Sequence, residues 1–517
     1  GRGPSNLDRR GRRGLTLRRS RSVGTPKAFD IVIVGGGAAG CVLARRLSEA
    51  GERSVLLLEA GPDLRGHVTP ELRDGWRLAG GPAWGVDWGF ESEPSGGGAT
   101  SKLRRGRLLG GTSWLTRFAV RGAAADFDTW AANGNPGWAF ADVLPTFRRI
   151  EVDAEFGDSP WHGANGLLPI TRYPHVPRSE IHEAALEALV ESGIPSVDDH
   201  NHPTAEGVGP MPMSSHDGHR VTAVDGYLPI DRRAANLTIR ADSPVAKVVI
   251  DAGRATAVQL TDGTEIAADW IVLAAGTYGS PTLLMRSGVG PADHLTDVGV
   301  AVQLDLPGVG SNLADHPGVE LDSGWRGVGT AGPILHSIAT FRSSIAPSDG
   351  APDLMFWITD PDASDPGFWF DPILLKPQSR GTVRLRSADP QDAPRITLPG
   401  VREAVDIERL AEGSRRGLEL AASSQIRRLA TEAPPSGPKT AEDLRRHIVE
   451  NAYSNPHVVG TCAMGPSPSD GAVVDSSGRV HGVERLSVID ASIIPEPPSG
   501  FPHLITIMLA EHLSSVR

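Results

Sequence analysis

A chain of 517 residues exceeds one ordinary hydrophobic core and predicts two closely joined domains. Its 39% hydrophobic and 22% charged residues are the proportions of a soluble globular protein. The net charge of −11 argues against a nucleic-acid partner, and the longest apolar runs, about seven residues, are too short to cross a membrane. Only two cysteines occur, Cys41 and Cys462; they make neither a disulfide framework nor a CxxC metal pattern, which fits a reducing, cytoplasmic setting.

Residues 1–27 are arginine-rich, with no apolar stretch behind the Arg9-Arg10 and Arg12-Arg13 pairs, and are expected to be a disordered tail. Ile31 to Val34 then reads as a buried strand, followed by Gly35-Gly-Gly-Ala-Ala-Gly40 and an amphipathic helix from Cys41. Strand, glycine turn and helix are the context of a dinucleotide fingerprint. Gly35 permits the turn, Gly37 lets the backbone approach a pyrophosphate, and Gly40 lets helix and strand pack closely. A second strand, Ser54 to Leu58, ends at Glu59, whose carboxylate is placed to accept ribose hydroxyls. The fingerprint by itself does not separate FAD from NAD.

An aromatic stretch, Trp84 to Phe90, and a linker through Ser95-Gly-Gly-Gly lead to a second backbone-donor loop, Gly110-Gly-Thr-Ser113. A helix is predicted over Ser179–Ser192. From Leu237 come four short strands (Leu237–Arg240, Val245–Ile250, Ala255–Leu260 and Thr264–Ala267), read as a meander, then a buried strand, Trp270 to Gly276. Residues 317–350, rich in Gly, Ser and Pro, suggest a mobile lid. A helix near 403–422, a strand at Leu486–Asp490 and a helix over Thr506–Leu513 complete the pattern. Trp357, Phe368, Trp369 and Phe370 suggest an apolar wall. The run Asp198-Asp-His-Asn-His202 lacks spaced partner ligands and reads as a polar loop, so no metal site is expected.

Four further blocks, in order, give the chain a specific resemblance. They are Gly276-Thr-Tyr-Gly-Ser-Pro-Thr-Leu-Leu-Met-Arg-Ser-Gly-Val-Gly290, Leu306-Pro-Gly-Val-Gly-Ser-Asn-Leu-Ala-Asp-His316, His457-Val-Val-Gly-Thr-Cys462 and Val480 to Ala491. From about residue 28 to 517 the chain resembles the glucose–methanol–choline (GMC) oxidoreductases, FAD-dependent alcohol oxidases and dehydrogenases. The resemblance implies an α/β fold (α+β overall). A Rossmann-like FAD-binding domain is assembled from residues 28–150, 231–316 and 471–517. A substrate-binding domain with an antiparallel sheet and helices takes residues 151–230 and 317–470.

The resemblance also implies FAD contacts at Gly35, Gly37, Ala38, Ala39, Gly40, Glu59, Ala60, Gly110, Gly111, Thr112, Ser113, Thr116, Val245, Ala275, Gly276, Asp490, Ala491, His503 and Leu504. It implies His457 as the base that takes the alcohol proton while a hydride passes to flavin N5, with His503 orienting the same oxygen. The chain departs from the family pattern after Gly110-Gly-Thr-Ser. Trp114, Leu115 and Thr116 replace the usual residues there, including an Asn, and the stretch is one residue short. Leu115 stands where some members carry a flavin-linked histidine, so the FAD is expected to be non-covalent. The implied partners are a small-molecule alcohol and oxygen or another electron acceptor. The alternative is a redox-neutral member, hydroxynitrile lyase-like or photodecarboxylase-like.

Overall fold

The computed structural model describes residues 1, 28–77, 85–94, 100–327, 332–361, 365–432, 437–438 and 440–515. The expected tail, Trp84 and the Ser95-Gly-Gly-Gly linker lie outside the described residues, apart from Gly1.

Strand Phe29–Val34 is the centre of the first sheet. It runs parallel to Val55–Leu58 on one side and to the far half of Glu265–Leu273 on the other. Leu237–Arg240 extends the sheet beyond Val55–Leu58, and Leu486–Val488 extends it beyond Ile271–Leu273, both in parallel. The inner segments Ile31–Val34, Val55–Leu58 and Ile271–Leu273 are apolar because helices and loops cover both faces of such a sheet. Helix Ala38–Glu49 follows the first strand, and a Cβ on Gly40 would lie 1.9 Å from the Gly35 carbonyl oxygen. Only glycine allows that approach.

Two readings of the sequence change here. Leu237–Arg240 belongs to the parallel sheet and not to the meander; its alternating exposure is that of a sheet edge, which looks the same in sequence. Thr264–Ala267 and Trp270–Leu273 are not separate strands. Glu265–Leu273 is continuous, pairing antiparallel with Arg254–Leu260 through its first half and parallel with Phe29–Val34 through its second.

The second sheet is antiparallel. Its order is Tyr453–Ser454, Pro317–Gly318, Gly367–Leu374, Leu354–Thr359, Ser337–Phe341 and Gly207–Pro210, with Asp322–Arg326 also paired to Gly367–Leu374. The expected lid at 317–350 thus supplies three of its strands; residues 328–331 lie outside the described residues. Alternation sorts strand Leu354–Thr359. Leu354, Phe356 and Ile358 pack in one core with Phe368 and Phe370 and with helices Glu180–Glu191 and Ala404–Ala421. Met355 and Trp357 pack on the other side with Phe118, Ile338 and Phe501. Of the aromatics singled out in the sequence, only Trp357 therefore joins that second cluster.

The C-terminal helix spans Pro502–Ser515, starting earlier than predicted because proline is favoured in a helix's first turn. It packs on Ala38–Glu49, and Arg46 makes a forked ion pair with buried Glu511 at 2.7–2.9 Å. Among the described residues, no helix is long and apolar enough to cross a membrane.

Gly40→Ala forces its Cβ into the Gly35 carbonyl, and we expect it to destabilise the fold by about 1–3 kcal/mol, read as a lowered thermal midpoint. An unchanged midpoint would contradict the close packing of helix on strand.

Candidate cofactor and active site

A cavity of about 360 Å³ opens beyond the carboxyl ends of the parallel strands, lined there by Val34, Leu58 and Ala274. This is where open α/β sheets bind ligands. Of the residues singled out from the sequence, Gly35, Gly37, Ala38, Ala39, Glu59, Ala60, Gly111, Thr112, Ser113, Thr116, Val245, Ala275, Gly276, His457, Asp490, Ala491 and His503 line it. Three do not. Gly40 packs under Gly35, Gly110 donates its N–H to the Gly36 carbonyl at 2.7 Å, and Leu504 is fully buried in the core.

Buried carboxylates shape the walls. Glu59 accepts the Gly36 N–H at 2.7 Å and the Gly61 N–H at 2.9 Å, so the acid that ends the second strand also fixes the first glycine turn. Burial pushes its pKa up to about 7, against the pull of these donors. A carboxylate has acceptor capacity beyond two bonds, which leaves Glu59 able to receive hydroxyls from the cavity. Asp490 accepts from the Gly276 N–H (2.8 Å), the Ser280 hydroxyl (2.5 Å) and the Ser492 N–H (2.8 Å). It fastens the turn after Glu265–Leu273 to the C-terminal segment. The two glycine loops touch each other: a Cβ on Gly111 would sit 2.7 Å from the Gly37 Cα. Ser113 is turned to the backbone, donating to the Gly110 carbonyl and accepting from the Ala223 N–H.

In the altered loop, Trp114 is buried, donates to the Leu109 carbonyl at 2.9 Å, and lies under the Arg73 guanidinium. Thr116 reaches the cavity, and Arg117 turns into the interior.

His457 sits between an aromatic wall and a second histidine. Phe501 and Trp357 lie 4.8 and 6.2 Å from its ring, centroid to centroid. Its Nδ1 is 3.2 Å from the Nδ1 of His316. Its backbone N–H donates to Asp315 at 2.7 Å; the same carboxylate accepts the His316 N–H and the Ser454 hydroxyl. Burial first, then the charges of His316 and Arg105, hold His457 well below the ordinary histidine value, so the ring is neutral at pH 7. His503, in the first turn of the C-terminal helix, lines the same cavity and its Nε2 has no hydrogen-bond partner. Burial, helped by the nearby Arg220 charge, lowers its pKa to about 4.

Sequence reasoning assigned no role to Asp315 or His316, although both close a quoted motif. It also left Phe90, Arg105 and Tyr278 unassigned; these line the cavity together with Trp88 of the aromatic stretch, with Trp88 stacked on Phe90 and Arg105 over the Tyr278 ring.

Among the described residues, one metal-type grouping occurs: Glu151, Asp153 and His162. Its ligand atoms are already engaged apart from Glu151 Oε2, which is buried without a hydrogen-bond partner. His162 lies 3.1 Å from Glu151, 2.9 Å from Asp153 and 2.8 Å from Asp199, while Arg121 pairs with Glu151 and Arg172 with Asp153. These carboxylates push the His162 pKa up to about 10, so an imidazolium fills the centre of an ion-pair network. From the run 198–202, Asp199 enters this network, His200 bonds the Ile338 carbonyl, and His202 is exposed.

Models of the GMC oxidoreductase family match residues 29–318 and 377–510. The chain belongs to the GMC oxidoreductase family. It is 35% identical over 534 residues to the 5-(hydroxymethyl)furfural oxidase of Methylovorus sp., covering 95% of this chain and 98% of that protein. It is 33% identical over 525 residues to the oxygen-dependent choline dehydrogenase of Rhizobium johnstonii, covering 93% and 94%. Its structure is similar to that of pyridoxine 4-oxidase from Mesorbium loti, with a TM-score of 0.87, 30% identity and coverage of 94% and 98%. As a GMC oxidoreductase it is an FAD-dependent enzyme acting on CH–OH donors. The cavity fits that cofactor: Gly37 faces it with no atom within 4 Å of an added Cβ, beside a helix N-terminus suited to phosphate and a buried acid suited to ribose.

Glu59→Ala removes the acceptor for two buried backbone N–H groups. We expect a loss of about 1–3 kcal/mol for each group left unpaired, together with FAD loss on gel filtration. Full retention of FAD and an unchanged melting point would contradict this role.

Proposed function

We propose that this enzyme oxidises the alcohol group of a small molecule, with His457 taking the hydroxyl proton and His503 orienting the hydroxyl oxygen. Bound FAD supplies the hydride acceptor. Every other part of the reaction falls to the chain. Phe501 lines the cavity beside His457, with Phe118 and Trp357 packed behind it, an apolar wall suited to the exclusion of water.

The observation that carries the reading is the Nδ1–Nδ1 contact between His457 and His316. One proton serves that contact. If His316 donated it, His457 would carry its own proton on Nε2 and have no free base. With His457 donating from Nδ1, its Nε2 lone pair is free to accept a proton, and His316 is held in the Nε2–H form. In that tautomer His316 positions the base by accepting its Nδ1 proton, and Asp315 fixes the backbone of both residues.

The residues proposed to contact FAD are those that line the cavity around Gly37, Glu59, Gly111 and Gly276. Leu115 has no nucleophilic atom, so acid precipitation of the yellow protein should release all FAD into the supernatant. Flavin retained in the pellet would contradict non-covalent binding.

His457→Ala should keep FAD but slow anaerobic bleaching of the flavin by alcohol about 10²–10⁴-fold, and His316→Ala should slow it by less. Because the folded pKa of His457 is depressed, the free base persists as pH falls. The wild-type rate should therefore stay level from about pH 8 to about pH 6, through the ordinary histidine pKa near 6.5. A His457→Ala variant as fast as wild type would overturn the assignment. Readmitting oxygen to the bleached enzyme then separates an oxidase from an enzyme needing another acceptor.

A further inference from the structure

Phe501 takes no part in the proton chemistry, yet among the described residues its ring is the nearest to the base. The centroids of Phe501 and His457 lie 4.8 Å apart with the planes tilted by 36°, against 5.3 Å for His316 and 6.2 Å for Trp357. Phe501 lines the cavity together with Pro502 and His503. One short segment thus carries both the ring proposed to orient the hydroxyl and an apolar ring beside the base.

That segment is held firmly. Phe501 precedes Pro502, which restricts its backbone to extended conformations, and its N–H donates to the Val120 carbonyl at 3.0 Å. A Cβ on Gly500 would collide with the Gly122 nitrogen, so the segment lies directly against residues 120–122. The N–H and hydroxyl of Ser499 donate to buried Asp126 at 2.8 and 2.6 Å. Lys376 donates to the same carboxylate at 2.8 Å and to the Pro497 carbonyl at 2.6 Å.

The ring itself is backed by two others. Phe118 lies 5.7 Å and Trp357 5.4 Å from it, and these two are 5.1 Å apart. Both are buried and neither lines the cavity. Phe118 comes from the stretch that departs from the family pattern, and Trp357 from the middle of strand Leu354–Thr359. A close-packed cluster of this kind yields little, because moving one ring forces its neighbours off their preferred rotamers.

A carbinol carbon that gives up a hydride carries two further substituents besides its oxygen. In a primary alcohol one of these is hydrogen; in a secondary alcohol both are carbon. We propose that Phe501 sets the substrate class: its ring fills the space beside His457 that a second carbon on the carbinol centre would need, so the enzyme takes primary alcohols and excludes those branched at that carbon. The proposal deepens the functional reading above and rests on it. Selection here comes from a clash with the wrong substrate and needs no added contact with the right one.

The test uses the holoenzyme and anaerobic flavin bleaching by matched pairs, benzyl alcohol against 1-phenylethanol and 1-butanol against 2-butanol. A tertiary alcohol, 2-phenyl-2-propanol, has no carbinol hydrogen and is followed only by its perturbation of the oxidised flavin spectrum. We expect the wild type to favour each primary alcohol about tenfold to a hundredfold in bleaching efficiency, and to ignore the tertiary one. Phe501→Ala, checked for retained FAD and melting point, should bring the ratios toward one and admit the tertiary alcohol, with Phe501→Leu falling between. A general structural weakening would slow both members of a pair and leave their ratio unchanged. Wild-type ratios near one, or ratios that Phe501→Ala leaves as they were, would overturn the proposal. Should neither variant fold, the wild type decides: a response to the tertiary alcohol overturns the proposal, and its exclusion together with the high ratios supports it. If no alcohol bleaches the flavin, the oxidation reading fails separately. A tertiary-alcohol response in Phe501→Ala alone would then still support the wall, and the same result in both proteins would overturn it.

Discussion

Buried carboxylates that accept backbone N–H groups are the constraint on which this site depends. Glu59 joins the two turns at the ends of the first strands, Asp490 joins the turn after Glu265–Leu273 to the C-terminal segment, and Asp315 joins the 306–316 stretch to His457. Each takes donors that would otherwise be orphaned at a loop inside the protein. Each carboxylate also accepts one bond from a distant part of the chain, 23, 214 and 142 residues away for Glu59, Asp490 and Asp315, so the cavity walls form only as separated segments come together. This explains why a site of this kind is made from dispersed blocks and why their order along the chain is informative.

The electrostatics of the cavity follow from that burial. Around its reacting end, His316, His457 and His503 are all driven neutral, chiefly by loss of water. Neutral imidazoles in a dry site are strong proton acceptors only if a free lone pair points the right way, which makes the His316 contact the decisive detail. Positive charge in this region resides instead on Arg105, which acts on His457, and on Arg220, which acts on His503. Cations and neutral bases are thereby separated, an arrangement suited to removing a proton from a neutral hydroxyl.

Much of this was legible in the sequence where local rules and global fold agree. The strand before Gly35, the close glycine at 40 and the helices at Glu180–Glu191 and Ala404–Ala421 carry unambiguous periodicity. Leu237–Arg240 was misplaced because an alternating tetrapeptide fits an edge of either sheet. Asp322–Arg326 was read as a lid because its glycine and serine mark an irregular pairing with Gly367–Leu374, with a register shift between Asp322 and Arg326, rather than a mobile loop. The partnership of His316 with His457 spans 141 residues and leaves no periodic trace.

The central claim is that bound FAD accepts hydride from an alcohol carbon held beside His457. It is tested most directly by rapid mixing of the anaerobic holoenzyme with an alcohol and with the same alcohol deuterated at the carbinol carbon, following the flavin absorbance. The account predicts bleaching in one phase that is clearly slower with the deuterated alcohol. Flavin that stays oxidised with every alcohol tried, or an enzyme that turns its substrate over without bleaching, would contradict it.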